Sequence, residues 1–214
     1  MIRLSFAALL LGSALPAMAQ PASQPSVPRS AGTPYAARTL PDRIMLTPAA
    51  DPSRGMAVSF RTDIAQSASE AQIAISVDGP SLEEKATTVT GPAGVAKDSA
   101  NGPALYHQIR FTDLTPDTVY AYRLKGSAGW SEWLQFRTAA TQARPFRFLY
   151  LGDIQNGILT YASRVIRQAF HANGGIDLVL HAGDLAAQRD DLDHDDEWGE
   201  FNQAGGYNWS IVPQ

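Results

Sequence analysis

The sequence contains no cysteine, and that absence excludes disulfide staples, thiolate metal ligands and a cysteine nucleophile. Any metal must be held by oxygen and imidazole, a donor set that suits iron, manganese, zinc or magnesium but not a cysteine-type structural zinc site. An excess of positive charge is also missing. The 17 Lys and Arg residues stand against 21 Asp and Glu, for a net charge of −4, and no basic cluster stands out, which argues against a nucleic-acid partner. What remains is a 44% apolar chain of 214 residues, the composition of a soluble globular protein of one or two domains.

The apolar run at the amino terminus is too short to span a bilayer, which takes about 20 residues. Arg3, the apolar stretch Leu4 to Leu15 and the small-residue site Ala17-Met18-Ala19 have the form of a cleaved secretory signal. Residues 1–19 are thus expected to be a signal peptide, the mature chain to begin at Gln20 in the periplasm or outside the cell, and no membrane attachment to survive cleavage. Residues 20–40, rich in Pro, Ser and Ala, bury too little apolar surface to offset their ordering entropy and read as a linker or loosely held arm.

Residues 41–139 change to period-two alternation. Met56, Val58 and Phe60 form one set, Ile73, Ile75 and Val77 a second, and Tyr120, Tyr122 and Leu124 a third, separated by turns such as Asp78-Gly79-Pro80 and Asn101-Gly102-Pro103. About seven such strands in about 100 residues predict an all-β sandwich. In Leu114-Thr115-Pro116-Asp117-Thr118-Val119-Tyr120 a tyrosine follows a proline-containing corner, where its hydroxyl can satisfy a nearby backbone group. Trp130 and Trp133 could form a stacking platform for carbohydrate; packing in the core or between domains is the favoured reading.

Residues 145–214 read as β-α-β: a strand over 146–151, a helix over 161–171 stopped by Asn173-Gly174-Gly175, and a second strand over 176–181. Each strand leads into Gly-Asp, at Gly152-Asp153 and Gly183-Asp184. Acids just past the carboxyl ends of neighbouring parallel strands sit where open α/β sheets gather ligands, so Asp153 and Asp184 can address one metal site. His181 reads as a strand-end packing residue, His171 as a helix C-terminal residue and His107 as part of a sandwich strand. The acidic run Asp190 to Glu197, which includes His194, lacks the spaced ligands of a calcium loop and reads as a solvated loop feeding a helix start near Asp195.

The paired Gly-Asp motifs resemble those of the calcineurin-like metallophosphoesterases. The Tyr120 corner resembles that of a fibronectin type III domain. Together with Trp130-Ser131-Glu132-Trp133, it resembles the small domain that precedes the catalytic domain of purple acid phosphatases. This resemblance covers about residues 40–214. It implies a fibronectin III-like sandwich followed by a partial α/β metallophosphoesterase domain, a parent activity on phosphate esters, and two metal ions drawn from iron, manganese or zinc. Asp153 would be a terminal ligand and Asp184 the bridge. Ala187 stands where purple acid phosphatases usually carry a tyrosine ligand, so no purple charge-transfer colour is implied. Gln155 stands where many related enzymes have a histidine ligand and is a possible outer-shell residue. The later Gly-Asn-His and histidine motifs do not follow, and no catalytic acid is recognisable. The expectation is an amino-terminal fragment with an incomplete site and weak or absent metal binding. The alternatives are a non-catalytic exported binding module or an inert truncated product.

Overall fold

The computed structural model describes residues 32–187 and 195–214. The signal-peptide reading, most of the linker and Asp190 to His194 lie outside the described residues. Two antiparallel sheets organise residues 42–137. The first has the order β1-β2-β6-β5, from Asp42–Pro48, Met56–Thr62, Ala104–Phe111 and Val95–Lys97. The second runs β4-β3-β7, from Thr87–Thr90, Glu70–Ile75 and Val119–Gly126. On β7 pair the short β8 (Gly129–Trp130) and β9 (Leu134–Arg137), and a single helical turn, α1 (Leu82–Lys85), joins β3 to β4.

Alternation decides which side chains face inward. Met56, Val58 and Phe60 on β2 and Tyr120, Tyr122 and Leu124 on β7 are buried and meet Leu46, Ile109, Phe111, Leu134 and Phe136 in one core. The set Ile73, Ile75 and Val77 holds only in part. Ile73 is buried, but β3 ends at Ile75, which is 51% exposed. The corner forms as its sequence predicts, with the Thr115 N–H donating to the Tyr120 hydroxyl at 2.8 Å.

Trp130 and Trp133 are only half-buried, which corrects the reading of them as core or interdomain residues. The Arg123 guanidinium lies 5.2 Å and 4.5 Å from the two ring centres, and the Lys125 ammonium lies 4.8 Å from the Trp130 ring. Arg123 and Lys125 alternate with the inward-facing residues of β7, so this cation–π ladder stands on the outer face of the sheet.

The remaining elements form a second, smaller layer. β10 (Phe148–Leu151) and β11 (Leu178–His181) pair in parallel, with Phe148 opposite Leu178 and Leu151 opposite His181. Their connection contains a π-helical turn (Ile158–Ala162) and α2 (Ser163–Ala172). On this helix Ile166 and Phe170 pack into the second core, while Val165, and Tyr161 in the turn before it, are exposed. α3 (Asp195–Gly205) and α4 (Asn208–Ile211) complete that core around Val179, Phe201 and the fully buried Trp209. A Cβ on Gly205 would lie 1.7 Å from the Trp209 ring, so only glycine lets the indole lie against the helix.

The two layers are joined by polar contacts. Tyr122 donates to the Ser210 carbonyl at 2.6 Å, and the Gln214 N–H donates to the Leu46 carbonyl at 2.9 Å. The arm is not loose throughout: the Tyr35 carbonyl accepts from Arg61 at 2.8 Å, and the Tyr35 ring lies against Gly199 of α3.

Candidate metal centre

β10 and β11 run in parallel and end together, so the turns after them lie side by side. The Ala182 N–H donates to the Leu151 carbonyl at 2.6 Å, the Asp153 N–H to the Gly183 carbonyl at 3.3 Å, and the Gln155 N–H to the Asp184 carbonyl at 3.1 Å. Gly152 permits this approach, since a Cβ there would stand 3.1 Å from the Ala182 Cβ. The structure therefore brings the Asp153 and Asp184 turns together, as the two Gly-Asp strings anticipate.

Both aspartates are left-handed, with φ of 52° for Asp153 and 51° for Asp184, and Gly183 before the second has φ 101°. Aspartate tolerates this region better than most residues because its short polar side chain can bond locally. Holding two of them there still stores about 1 kcal/mol or more each. Both are exposed.

Gln155 is tied to the second turn twice. Beyond its backbone bond, its Nε2 donates to Asp184 Oδ2 at 3.1 Å. Its Oε1 is buried and has no hydrogen-bond partner. Among the described residues no group of three or more His, Asp or Glu side chains converges to hold a metal, so Asp153 and Asp184 stand without an imidazole or a third acid. Ala187 is exposed and contributes no oxygen.

His181 is a packing residue. Its ring meets Phe201 and Trp209 edge-on at 5.5 and 5.7 Å, and its Nε2 bonds to Gln214 Oε1 at 2.7 Å. Burial lowers its pKa from the ordinary value, and the Gln214 bond opposes that shift. His171 is exposed at the end of α2, and His107 lies buried in the sandwich.

A feature the sequence did not disclose is the charge cluster at the start of α3. The helix does begin at Asp195, but that residue is 2% exposed rather than solvated. Its carboxylate accepts from Arg43 at 2.5 and 2.7 Å and from Asn101 at 3.1 Å, with Arg61 at 3.6 Å. Arg61 is itself bonded to Asp42 at 2.8 Å through both Nε and Nη2. Burial raises the Asp195 pKa, and the Arg43, Asn101 and Arg61 contacts together outweigh it, leaving the group below the usual carboxylate range. Local pattern carries no signal for a pairing that spans 152 positions.

Residues 41–138 match the family model for the purple acid phosphatase N-terminal domain. Among solved structures, the chain is similar to a purple acid phosphatase from yellow lupin (Lupinus luteus) seeds, at 17% identity and a TM-score of 0.59, over 82% of this chain and 34% of that one. It is similar to PhoD at 15% identity and a TM-score of 0.50, over 87% of this chain and 39% of that one. The chain therefore spans between a third and two fifths of the length of these two structures. No curated protein matches the sequence. Residues 41–138 are thus similar to the purple acid phosphatase N-terminal domain, and the likeness of the rest of the chain to the two solved structures is one of fold.

Proposed function

We propose that the protein is a metal-dependent phosphoric ester hydrolase of purple acid phosphatase type, exported to the periplasm or beyond the cell. Residues 41–139 are its sandwich domain and residues 145–214 part of an α/β metallophosphoesterase domain. The observation that carries the reading is the pair of left-handed aspartates on hydrogen-bonded turns at the carboxyl ends of two parallel strands. Strain of this kind persists where surrounding structure enforces it, and it concentrates at functional sites.

The residues present fit a hard or borderline cation. Two carboxylates are exposed on turns bonded to each other through their backbones, and the Gln155 amide bonds to the second. Asp153 would hold one ion and Asp184 would serve both. A pair of ions held here supplies charge stabilisation to a phosphoryl group and lowers the pKa of bound water. The chain's own part is to fix carboxylate positions: the turn-to-turn bonds set the two backbones, and Gln155 Nε2 orients Asp184. Two carboxylates are too few to fix the geometry of two ions, which takes roughly four to six protein ligands. Hydrolysis therefore requires ligands besides the described residues.

The alternative, a non-catalytic binding module, is weakened at its strongest point. The Arg123 guanidinium packs against both indoles, where a sugar ring would have to stack. Metal analysis of the purified 214-residue chain, paired with an aryl phosphate assay, tests the proposal. Weak metal retention, lost in both Asp153→Asn and Asp184→Asn, with negligible turnover is the expected result. Retention unchanged in both variants would overturn the site, and robust turnover would overturn the ligand count.

A further inference from the structure

The seam between the two layers holds a cleft of about 580 Å³, within the ~300–1,000 Å³ typical of small-molecule sites, which favour such junctions. Pro48 and Met56 line it from the sandwich, Phe146 and Leu178 from the start of the two parallel strands, and Ile211 and Pro213 from the end of α4. The cleft therefore lies at the amino ends of β10 and β11, whereas Asp153 and Asp184 follow their carboxyl ends. Its charged lining residues are Arg137, Arg144 and Asp177, so cations are in excess on its wall. Arg137 Nε donates to Asp117 at 3.0 Å. Arg144 reaches Asp117 and Asp177 only at 3.4 and 3.8 Å, too long for well-formed hydrogen bonds. With its side chain 42% exposed, the Arg144 guanidinium keeps N–H donors for a further acceptor.

We propose that this cleft binds a single-chain amphipathic anion, a carboxylate whose head bonds to Arg144 and whose apolar tail lies between the sandwich and the parallel sheet. Removing the tail from water against Met56, Phe146, Leu178 and Ile211 supplies the affinity. The planar guanidinium fork matches a carboxylate in shape and charge and sets the orientation. A cationic head would meet the excess of arginine, and a wholly apolar molecule would leave the Arg144 donors unused. The site does not depend on the metal-centre reading, because none of its lining residues belongs to the two Gly-Asp turns.

The test is calorimetric titration of the 214-residue chain with decanoate and with decanol as its neutral counterpart, circular dichroism confirming that each variant is folded. Wild type should bind decanoate saturably with one-to-one stoichiometry. Arg144→Gln breaks only long, exposed ion pairs, which contribute little to the fold, and it should weaken decanoate about tenfold while leaving decanol within about twofold. Ala140 also lines the cleft, and Ala140→Trp should abolish the binding of both ligands by filling it. Should that variant not fold, the split between the two ligands in Arg144→Gln decides alone. The pair Tyr150→Lys with Leu180→Lys, on the exposed face of the parallel sheet, should not weaken decanoate. Absence of saturable decanoate binding overturns the proposal, as does equal weakening of both ligands in Arg144→Gln or unchanged binding in folded Ala140→Trp. Loss of decanoate binding in the lysine pair overturns it too, by placing the amphiphile on the open sheet face.

Discussion

His107 shows how one side chain can make a sandwich sensitive to acid. It is 3% exposed, stacked on Phe60 at 4.7 Å, and held between Thr62 Oγ1 at 2.8 Å and Ser69 Oγ at 3.0 Å. The Ser69 hydroxyl donates to the Pro92 carbonyl, which leaves it to accept from Nδ1–H. The Thr62 hydroxyl lies 2.9 Å from the Asp63 carbonyl as well, so in a neutral ring its single proton is contested between that carbonyl and Nε2. Burial lowers the His107 pKa, and His181 shifts in the same direction. Both groups are thus held neutral in the fold, so their contribution is complete above the unfolded histidine pKa of about 6.5 and is lost as pH falls through the depressed folded value. Melting temperature should fall between pH 7 and pH 5, above the window in which the carboxylates titrate, and His107→Gln should flatten the slope. A flat profile in the wild type over that range would refute the assignment.

At the scale of elements, α3 is the piece whose attachment pattern alone could not supply. Its amphipathic spacing presents Phe201 and Ala204 to the second core, but its start is fixed by Asp195 among Arg43, Arg61 and Asn101, from β1, β2 and the turn before β6. Arg43 takes a left-handed backbone, φ 49°, where β1 breaks register. Asp195→Ala would leave two buried guanidinium groups without their shared partner, a loss of about 3–5 kcal/mol by analogy with broken buried ion pairs. Chemical denaturation of the full chain checks this. A cost below about 1 kcal/mol would mean that the cluster is solvated in solution. The β-strands were more legible than this helix start because each strand declares its buried face every second residue, whereas a salt bridge between distant segments leaves no periodic trace.

For the molecule as a whole, the small parallel sheet is covered on one side only among the described residues. Ile158, Ile166 and Val179 pack beneath it, while Phe148, Tyr150 and Leu180 on the other face are 49%, 70% and 41% exposed. Parallel strands ordinarily carry apolar residues on both faces because both are covered, and an apolar patch open to water promotes association. The 214-residue chain should bind the dye ANS in its folded state and aggregate at high concentration, and Tyr150→Lys with Leu180→Lys should reduce both effects with little change in melting temperature. Dye binding that is undiminished in the double variant would place the exposed apolar surface elsewhere. Across the seam between layers, Tyr122 and Gln214 hold the two cores together by single hydrogen bonds, and the buried charges around Asp195 add the stronger tie.

Neighbours along the chain were enough to specify the alternating inward rows of Met56-Val58-Phe60 and Tyr120-Tyr122-Leu124, the Tyr120 corner, the parallel β-α-β unit and the two Gly-Asp turns. Each obeys a local rule of period, turn chemistry or backbone preference. Features that join distant segments came from the folded arrangement instead. It set the indoles of Trp130 and Trp133 against Arg123 outside the core, buried Asp195 against Arg43 across 152 positions, and turned the Gln155 amide nitrogen to Asp184. Charges and amides acquire their partners from the way strands and helices stack, and no spacing within one segment encodes which distant group arrives beside them.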